Sequence, residues 1–467
     1  INQENVAVTV NLSFSKSSSY LTSLIHSKHH LGLCRKASGE LAIDDKWSQY
    51  VYATVMAGGL NPFSLVDIFS RILGAPSCSL EELSSTNRRP IQHIILHPFA
   101  SHAKKKWKSN KWAEIIYRIL KKNPQVKISI VGSKEEIPES QSLLQMPLVN
   151  TVSAQIQDLT GKTNIQELFN HILQADLFIG HDSMVGHLSS LAGLQCLTIS
   201  LGTVRPAETT PYGLNNFNLH PKTKCFPCFP SDPCDFYKCH ADIPYQVVCA
   251  AVQQLVDKGD ISADELKKEN SVFHLDSVHL CRTQMTNRGM LQIVDILGNN
   301  PTLADIYRLY YRMAWLYVFE EKEEQHSFPI LNTNIHKLLL ADLKGLQHLF
   351  ELLEFGKRYC RYILEEIASK VPNISKIKEY GKKIDEIEQL QGILKRSFPM
   401  LAPLIDHSFV AKANLRGISI VELTESSYFS YEQTTSITRI VYELIQNSIA
   451  EYKITNNKDK VASPAPK

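Results

Sequence analysis

The chain has 467 residues, of which 43% are hydrophobic, enough for two to three domains with cores of their own. Its 50 Lys and Arg against 47 Asp and Glu leave a formal net charge of +3, too small and too scattered along the chain to point to nucleic acid. No apolar run approaches the length that crosses a bilayer, no secretory leader precedes the first strand, and most of the 10 cysteines are isolated, which together suit a reducing, cytoplasmic compartment.

In chain order, Val6–Phe14 reads as a strand and Ser15–Ile25 as a helix, followed by Leu31-Gly32-Leu33, a polar turn, Trp47–Tyr52 and Asn61–Phe69. Strands and helices then alternate. Gln92–Ser101 is a strand running into a loop, Ala103–Trp112 leads into a helix over Ala113–Lys122, and Val126–Ser133 is a strand ending in a turn with Glu135 and Glu136 behind it. Leu159–Leu168 opens another helix, and Ala175–Ile179 and Gln195–Leu201 are short apolar runs of the kind that form buried strands. This alternation predicts a parallel, doubly wound α/β sheet. Polar residues fall at the carboxyl ends of its strands, at Ser101, Ser133, Asp182 and Thr203.

The stretch Gly180–Gly193 is the most informative. Asp182 and Ser183 stand at a strand's carboxyl end, and His187 and Leu188 follow on a helix. Free N–H groups and the helix dipole favour anions at such a junction, and open α/β sheets bind ligands there. A carboxylate for sugar hydroxyls, a hydroxyl for phosphate and an imidazole are what a nucleotide-sugar site needs. The same residues would also serve a plain strand-to-helix turn capped by Asp182 or Ser183, and His187 would serve as an interior histidine.

Further on, Cys225, Cys228, Cys234 and Cys239 lie in a Pro-rich stretch from Pro221 to His240. Two close thiol pairs in a loop have the shape of a structural zinc or iron knuckle. His240 is a competing ligand, and a loop of reduced thiols or of disulfides fits the same spacing. Beyond Lys258-Gly259-Asp260 the strand pattern fades. Asp305–Glu324, Ile335–Ser369, Ile374–Ser397 and Ser436–Tyr452 carry apolar residues at helical spacing, and 456–467 is a polar, Pro/Ala-rich tail expected to be disordered. Tyr307, Tyr310, Tyr311, Trp315 and Tyr317 crowd one helix as core residues. The expected domains are 1–84, 85–257, an all-α region 258–455 that binds a protein partner or recruits an acceptor, and the tail.

His97-Pro98, Lys105-Lys106-Trp107, Trp112, Gly132, Thr160-Gly161-Lys162-Thr163, Asp182-Ser183-Met184-Val185-Gly186-His187-Leu188 and Leu201-Gly202-Thr203 resemble, in order and spacing, glycosyltransferase family 9, bacterial heptosyltransferases of the two-domain, Rossmann-like GT-B fold. The resemblance implies that 85–257 is the nucleotide-sugar domain. It also implies that 1–84 is the end of an acceptor-side α/β domain whose opening, with the catalytic base in a Gly-Asp turn, is missing. By the same resemblance Lys105 partners the pyrophosphate, and Ser101 with the N–H groups of Ser183 and Met184 holds phosphate oxygens. Asp182 accepts from sugar hydroxyls, His187 lines the pocket and Glu135, or equally Glu136, reaches the ribose. Lys104 and Lys108 read as solvated neighbours of Lys105, and Trp107 and Trp112 as packing residues. The implied reaction is inverting transfer of heptose or a related sugar from a nucleotide-diphosphate sugar, ADP-linked, to a lipopolysaccharide core, glycan, lipid-linked or protein acceptor, at or near the inner membrane. It needs no cofactor, and the cysteines resemble an iron-binding finger found in relatives that modify autotransporters. The competing expectation is a catalytically inactive nucleotide-sugar scaffold that works through its helices.

Overall fold

The structure, a computed structural model, describes residues 5–54, 59–75, 90–268, 274–320 and 329–462, with side chains as far as residue 454. The described residues fall into two compact units, one drawn from 1–62, 68–75 and 300–467, the other from 63–67 and 76–299. The expected boundary at residue 84 lies outside the described residues.

The second unit is built on one sheet of eight strands: β3 (His93–His97), β4 (Lys127–Ile130), β5 (Ile156–Asp158), β6 (Leu177–His181), β7 (Gln195–Ile199), β8 (Phe217–Pro221), β9 (Val278–Met285) and β10 (Leu291–Asp295). Their order is β10-β9-β8-β7-β6-β3-β4-β5. The strands from β8 to β5 are parallel, and β9 and β10 close one edge antiparallel. Side chains on successive residues of a strand leave on opposite faces, and both faces here are covered. Ile94 and Leu96 join Trp112, Ile116, Ile119, Val248 and Val252 on one side. Ile95 joins Ile172, Phe178 and Val185 on the other. A strand buried on both faces has no polar side to show, which is why these segments read as plain apolar runs.

Two expectations for this region change. The sheet does not end near residue 257, because β9 pairs with β8 along Pro221↔Val278 to Phe217↔Arg282. Its polar residues hide the strand, which is fixed by the open edge of β8 rather than by its own pattern. Thr160-Gly161-Lys162-Thr163 is also not the start of a helix. Gly161 has φ +69°, and a Cβ there would lie 2.7 Å from Ile137. The helix Ile165–Ile172 starts only after Asn164, whose side chain accepts from the Glu167 N–H while Glu167 reaches back to the Asn164 N–H.

The first unit joins segments far apart in sequence. β1 (Val6–Asn11) and β2 (Ser27–Gly32) form a parallel pair across the helix Lys16–Ser23. The helix Lys46–Thr54 packs on Ala402–Ala413, and the Ile43 N–H donates to Asn414 Oδ1 at 2.8 Å while Asn414 Nδ2 donates to the Ile43 carbonyl. Trp47, Tyr50, Trp315 and Phe319 make edge-to-face and tilted ring contacts of 5.0–6.1 Å. The N-terminal segment and the helical region, expected as separate parts, therefore share one core. Tyr307, Tyr310 and Tyr311 are core residues as expected, whereas Tyr317 is exposed. The last helix runs from Ile420 to Ala462, well beyond the Ser436–Tyr452 pattern and into the expected tail; residues 463–467 lie outside the described residues. Among the described residues no helix is long and apolar enough to cross a membrane.

Candidate functional site

From β3 the chain winds outward through β4 to β5, then returns to lay β6 against the other side of β3. Loops leaving β3 and β6 diverge at that switch point, opening a crevice at the carboxyl ends of the strands. His97 and Gly180 are register partners there. The loop after β3 carries Ser101 and the short turn Ala103–Lys105, and the loop after β6 carries Asp182 and Ser183.

Across the crevice Lys105 Nζ lies 3.2 Å from Asp182 Oδ2. His187 Nε2 stands 4.0 Å from Asp182 Oδ1 with its side chain 44% exposed, so His187 faces the crevice and is not an interior pin. Ser183 is the N-cap of the helix Met184–Leu191, yet its side chain makes no capping bond. Its Oγ is buried without a hydrogen-bond partner among the described residues. A buried hydroxyl without a partner is costly, and a helix N-terminus is where an anion's oxygen is favoured. Met184 and Ser101 are both exposed.

Glu135 and Glu136, one strand over, separate cleanly. Glu136 Oε2 accepts the Ser133 N–H at 2.6 Å and lies 3.6 Å from His97 Nε2. Burial alone would raise its carboxyl, but these bonds hold it below the usual carboxylate value. Glu136 thus builds the turn, while Glu135 is exposed and held low by backbone and Ser133 hydrogen bonds. An acidic residue at this strand end is where dinucleotide-binding folds hold a ribose.

Beneath the site lies a histidine that sequence reading passed over. His181, next to Asp182, is fully buried, and its Nε2 faces the Trp107 N–H at 3.0 Å. The ring proton is therefore on Nδ1, which points at the Ile199 carbonyl at 3.3 Å. Burial drives its pKa down to about 3 despite that bond, so it is neutral at working pH. Lys104 also departs from expectation. It is buried, and its Nζ donates to the carbonyls of Phe229 at 3.3 Å, Pro230 at 3.0 Å and Asp232. Lys108 is exposed as expected, and Trp107 and Trp112 are buried against each other at 5.8 Å between ring centres.

The profile of Glycosyltransferase family 9 (heptosyltransferase) matches residues 76–238, the span that holds all of these residues. That segment is similar to glycosyltransferase family 9 over about a third of the chain. Lipooligosaccharide heptosyltransferase 2 of Campylobacter jejuni is 26% identical over 164 residues, 34% of this chain and 50% of that protein. The chain thus spans half the length of the curated relative it matches. Among solved structures, E. coli heptosyltransferase WaaC with ADP aligns over 45% of this chain and 65% of its own, at 14% identity and a TM-score of 0.33. E. coli ADP-heptose lps heptosyltransferase II aligns over 47% and 54%, at 13% identity and a TM-score of 0.30.

Within this segment the four cysteines of the Pro-rich loop stand at different depths. Cys225 is exposed, Cys228 and Cys234 are half-buried and Cys239 is buried. Among the described residues no three His, Cys, Asp or Glu side chains gather where they would hold one ion. Burial first, and the neighbouring cysteines after it, raise the thiols of Cys228 and Cys239. His240 is engaged elsewhere, its Nε2 donating to the Lys104 carbonyl at 2.8 Å.

Proposed function

We propose that this crevice is the donor site of an inverting glycosyltransferase that takes heptose or a related sugar from a nucleotide-diphosphate sugar, with ADP as the nucleotide. The observation that carries the reading is the Lys105–Asp182 pair at 3.2 Å, set at the switch point beside a helix N-terminus with an unsatisfied Ser183 hydroxyl. An incoming diphosphate competes for Lys105 and frees the Asp182 carboxylate for sugar hydroxyls. Ser183, the Met184 N–H and Ser101 then take phosphate oxygens, and Glu135 takes the ribose.

In the reaction the acceptor hydroxyl gives up its proton to a base and attacks the anomeric carbon opposite the leaving group. The bond from that carbon to the diphosphate oxygen breaks, and its electron pair becomes charge on the departing nucleotide. Lys105 and the helix N-terminus lie where that charge develops, so they hold the transition state more tightly than the ground state. The acceptor is a lipopolysaccharide core, another glycan or a protein, reached on the cytoplasmic side of the inner membrane. A thermal-shift panel of ADP-, GDP- and UDP-sugars tests the reading. Stabilisation by the ADP-sugar that is lost in Lys105→Ala supports it, and a flat response to all three overturns it.

A further inference from the structure

The loop that carries Lys105 is short and irregular, so something outside it must fix where the ammonium stands. Ala103–Lys105 is a single 3-10 turn, and the neighbouring three lysines go three ways. Lys105 reaches Asp182, Lys106 pairs with Glu139, and Lys104 turns inward. Each further tie runs to the cysteine-rich segment after β8. Lys104 Nζ gathers the carbonyls of Phe229, Pro230 and Asp232. His240 Nε2 donates back to the Lys104 carbonyl at 2.8 Å, and the His240 carbonyl accepts from Trp107 Nε1 at 3.0 Å. Gly202 seals the contact: it has φ +59°, a Cβ there would lie 2.3 Å from the Lys104 carbonyl oxygen, and its own carbonyl accepts the Cys228 N–H at 3.0 Å.

We propose that the segment 225–240 is a strut for the donor site, with His240 and Lys104 as positioning residues that hold Lys105 where it meets a diphosphate. This rests on the donor-site reading above. A buried ammonium among three carbonyls is an expensive way to close a loop, whereas bracketing Lys105 between His240 on one side and His181 beside Asp182 on the other sets the distance between the two site groups. A displacement of about 1 Å at a reacting group costs up to about a hundredfold, so the strut matters to the chemistry more than to overall stability.

The test uses the full chain with ADP as probe. Gln keeps a donor near the Nε2 position of histidine and Leu does not, so His240→Leu and His240→Gln separate the hydrogen bond from the bulk. Lys104→Met removes the other tie and serves should His240→Leu not fold. The strut predicts that His240→Leu and Lys104→Met lower ADP affinity about tenfold by calorimetry and speed amide hydrogen exchange over residues 102–108. His240→Gln should restore both. Unchanged exchange at 102–108, or unchanged ADP affinity alongside a lowered melting temperature, overturns the proposal. Wild-type protein that binds no ADP overturns the donor-site reading instead, and the exchange comparison still decides whether His240 holds the loop.

Discussion

Lys105 and Asp182 pair across the crevice, with side chains 27% and 11% exposed. Replacing Lys105 by Ala takes the ammonium away from Asp182 and removes the proposed contact to the diphosphate. ADP affinity should fall by about 1.5–3 kcal/mol, the range for a hydrogen bond to a charged group, which calorimetry will read directly. Asp182→Asn acts differently, because the carboxylate is proposed to meet the sugar and not the nucleotide. Sugar transfer should drop well below wild type while affinity for bare ADP changes little. Equal losses in the two assays would reduce Asp182 to a residue that shapes the loop. His187 is exposed toward Asp182, and the interior role belongs to His181, six residues earlier.

The elements that frame the site owe their ends to local chemistry. The helix Ile165–Ile172 on the face around Ile95 starts at a reciprocal capping box between Asn164 and Glu167. Removing the cap leaves helix N–H groups without partners. Asn164→Ala should therefore lower stability by about 1 kcal/mol, seen as a reduced urea midpoint with an unchanged slope. The helix Met184–Leu191 has no side-chain cap at Ser183, so Ser183→Ala should cost far less stability than Asn164→Ala. If it costs as much, the Ser183 hydroxyl is structural after all.

Among the described residues, one unit fully buries His181 and the other His407, with pKa values driven by burial to about 3 and about 4. Unfolded histidine takes its proton near 6.5, so below that pH the unfolded chain binds protons that the folded one refuses. Stability is fully present above about pH 6.5 and falls on acidification, by about 1.4 kcal/mol per pH unit for each histidine until its folded pKa is reached. Melting temperatures should drop between pH 7 and pH 5, and His181→Gln should flatten that dependence. The first unit is also held by Asn414, which bonds both the N–H and the carbonyl of Ile43. Asn414→Ala should cost about 1–3 kcal/mol and raise amide exchange in the N-terminal segment around Ile43, some 370 residues away in sequence.

Much of this was legible in the sequence because the deciding forces are local. Apolar runs such as Ile94–Leu96 and Leu177–Ile179, too short for helices and rich in Ile, Leu and Phe, read as strands buried on both faces, and the alternation with amphipathic helices points to a parallel sheet. Asp182, Ser183 and Lys105 lie at strand ends, where chain order alone places ligand groups. The remainder needed partners distant in sequence. β9 is a strand because β8 has an open edge, and Ala402–Ala413, buried on nearly every side with polar Asp406, His407 and Ser408 inside, gives no amphipathic period to read as a helix. Lys104 and Lys105 are chemically identical and adjacent; the family resemblance picks out Lys105, but nothing local says that Lys104 turns to the carbonyls of 229–232. His181 and His240 are likewise set by the groups that meet their ring nitrogens. Spacing brings four thiols into one loop, but only the fold shows that the carbonyls of the same loop also hold Lys104. Composition and periodicity determined the layers; burial and long-range hydrogen bonding chose among identical side chains, because those energies exist only once the chain has closed on itself.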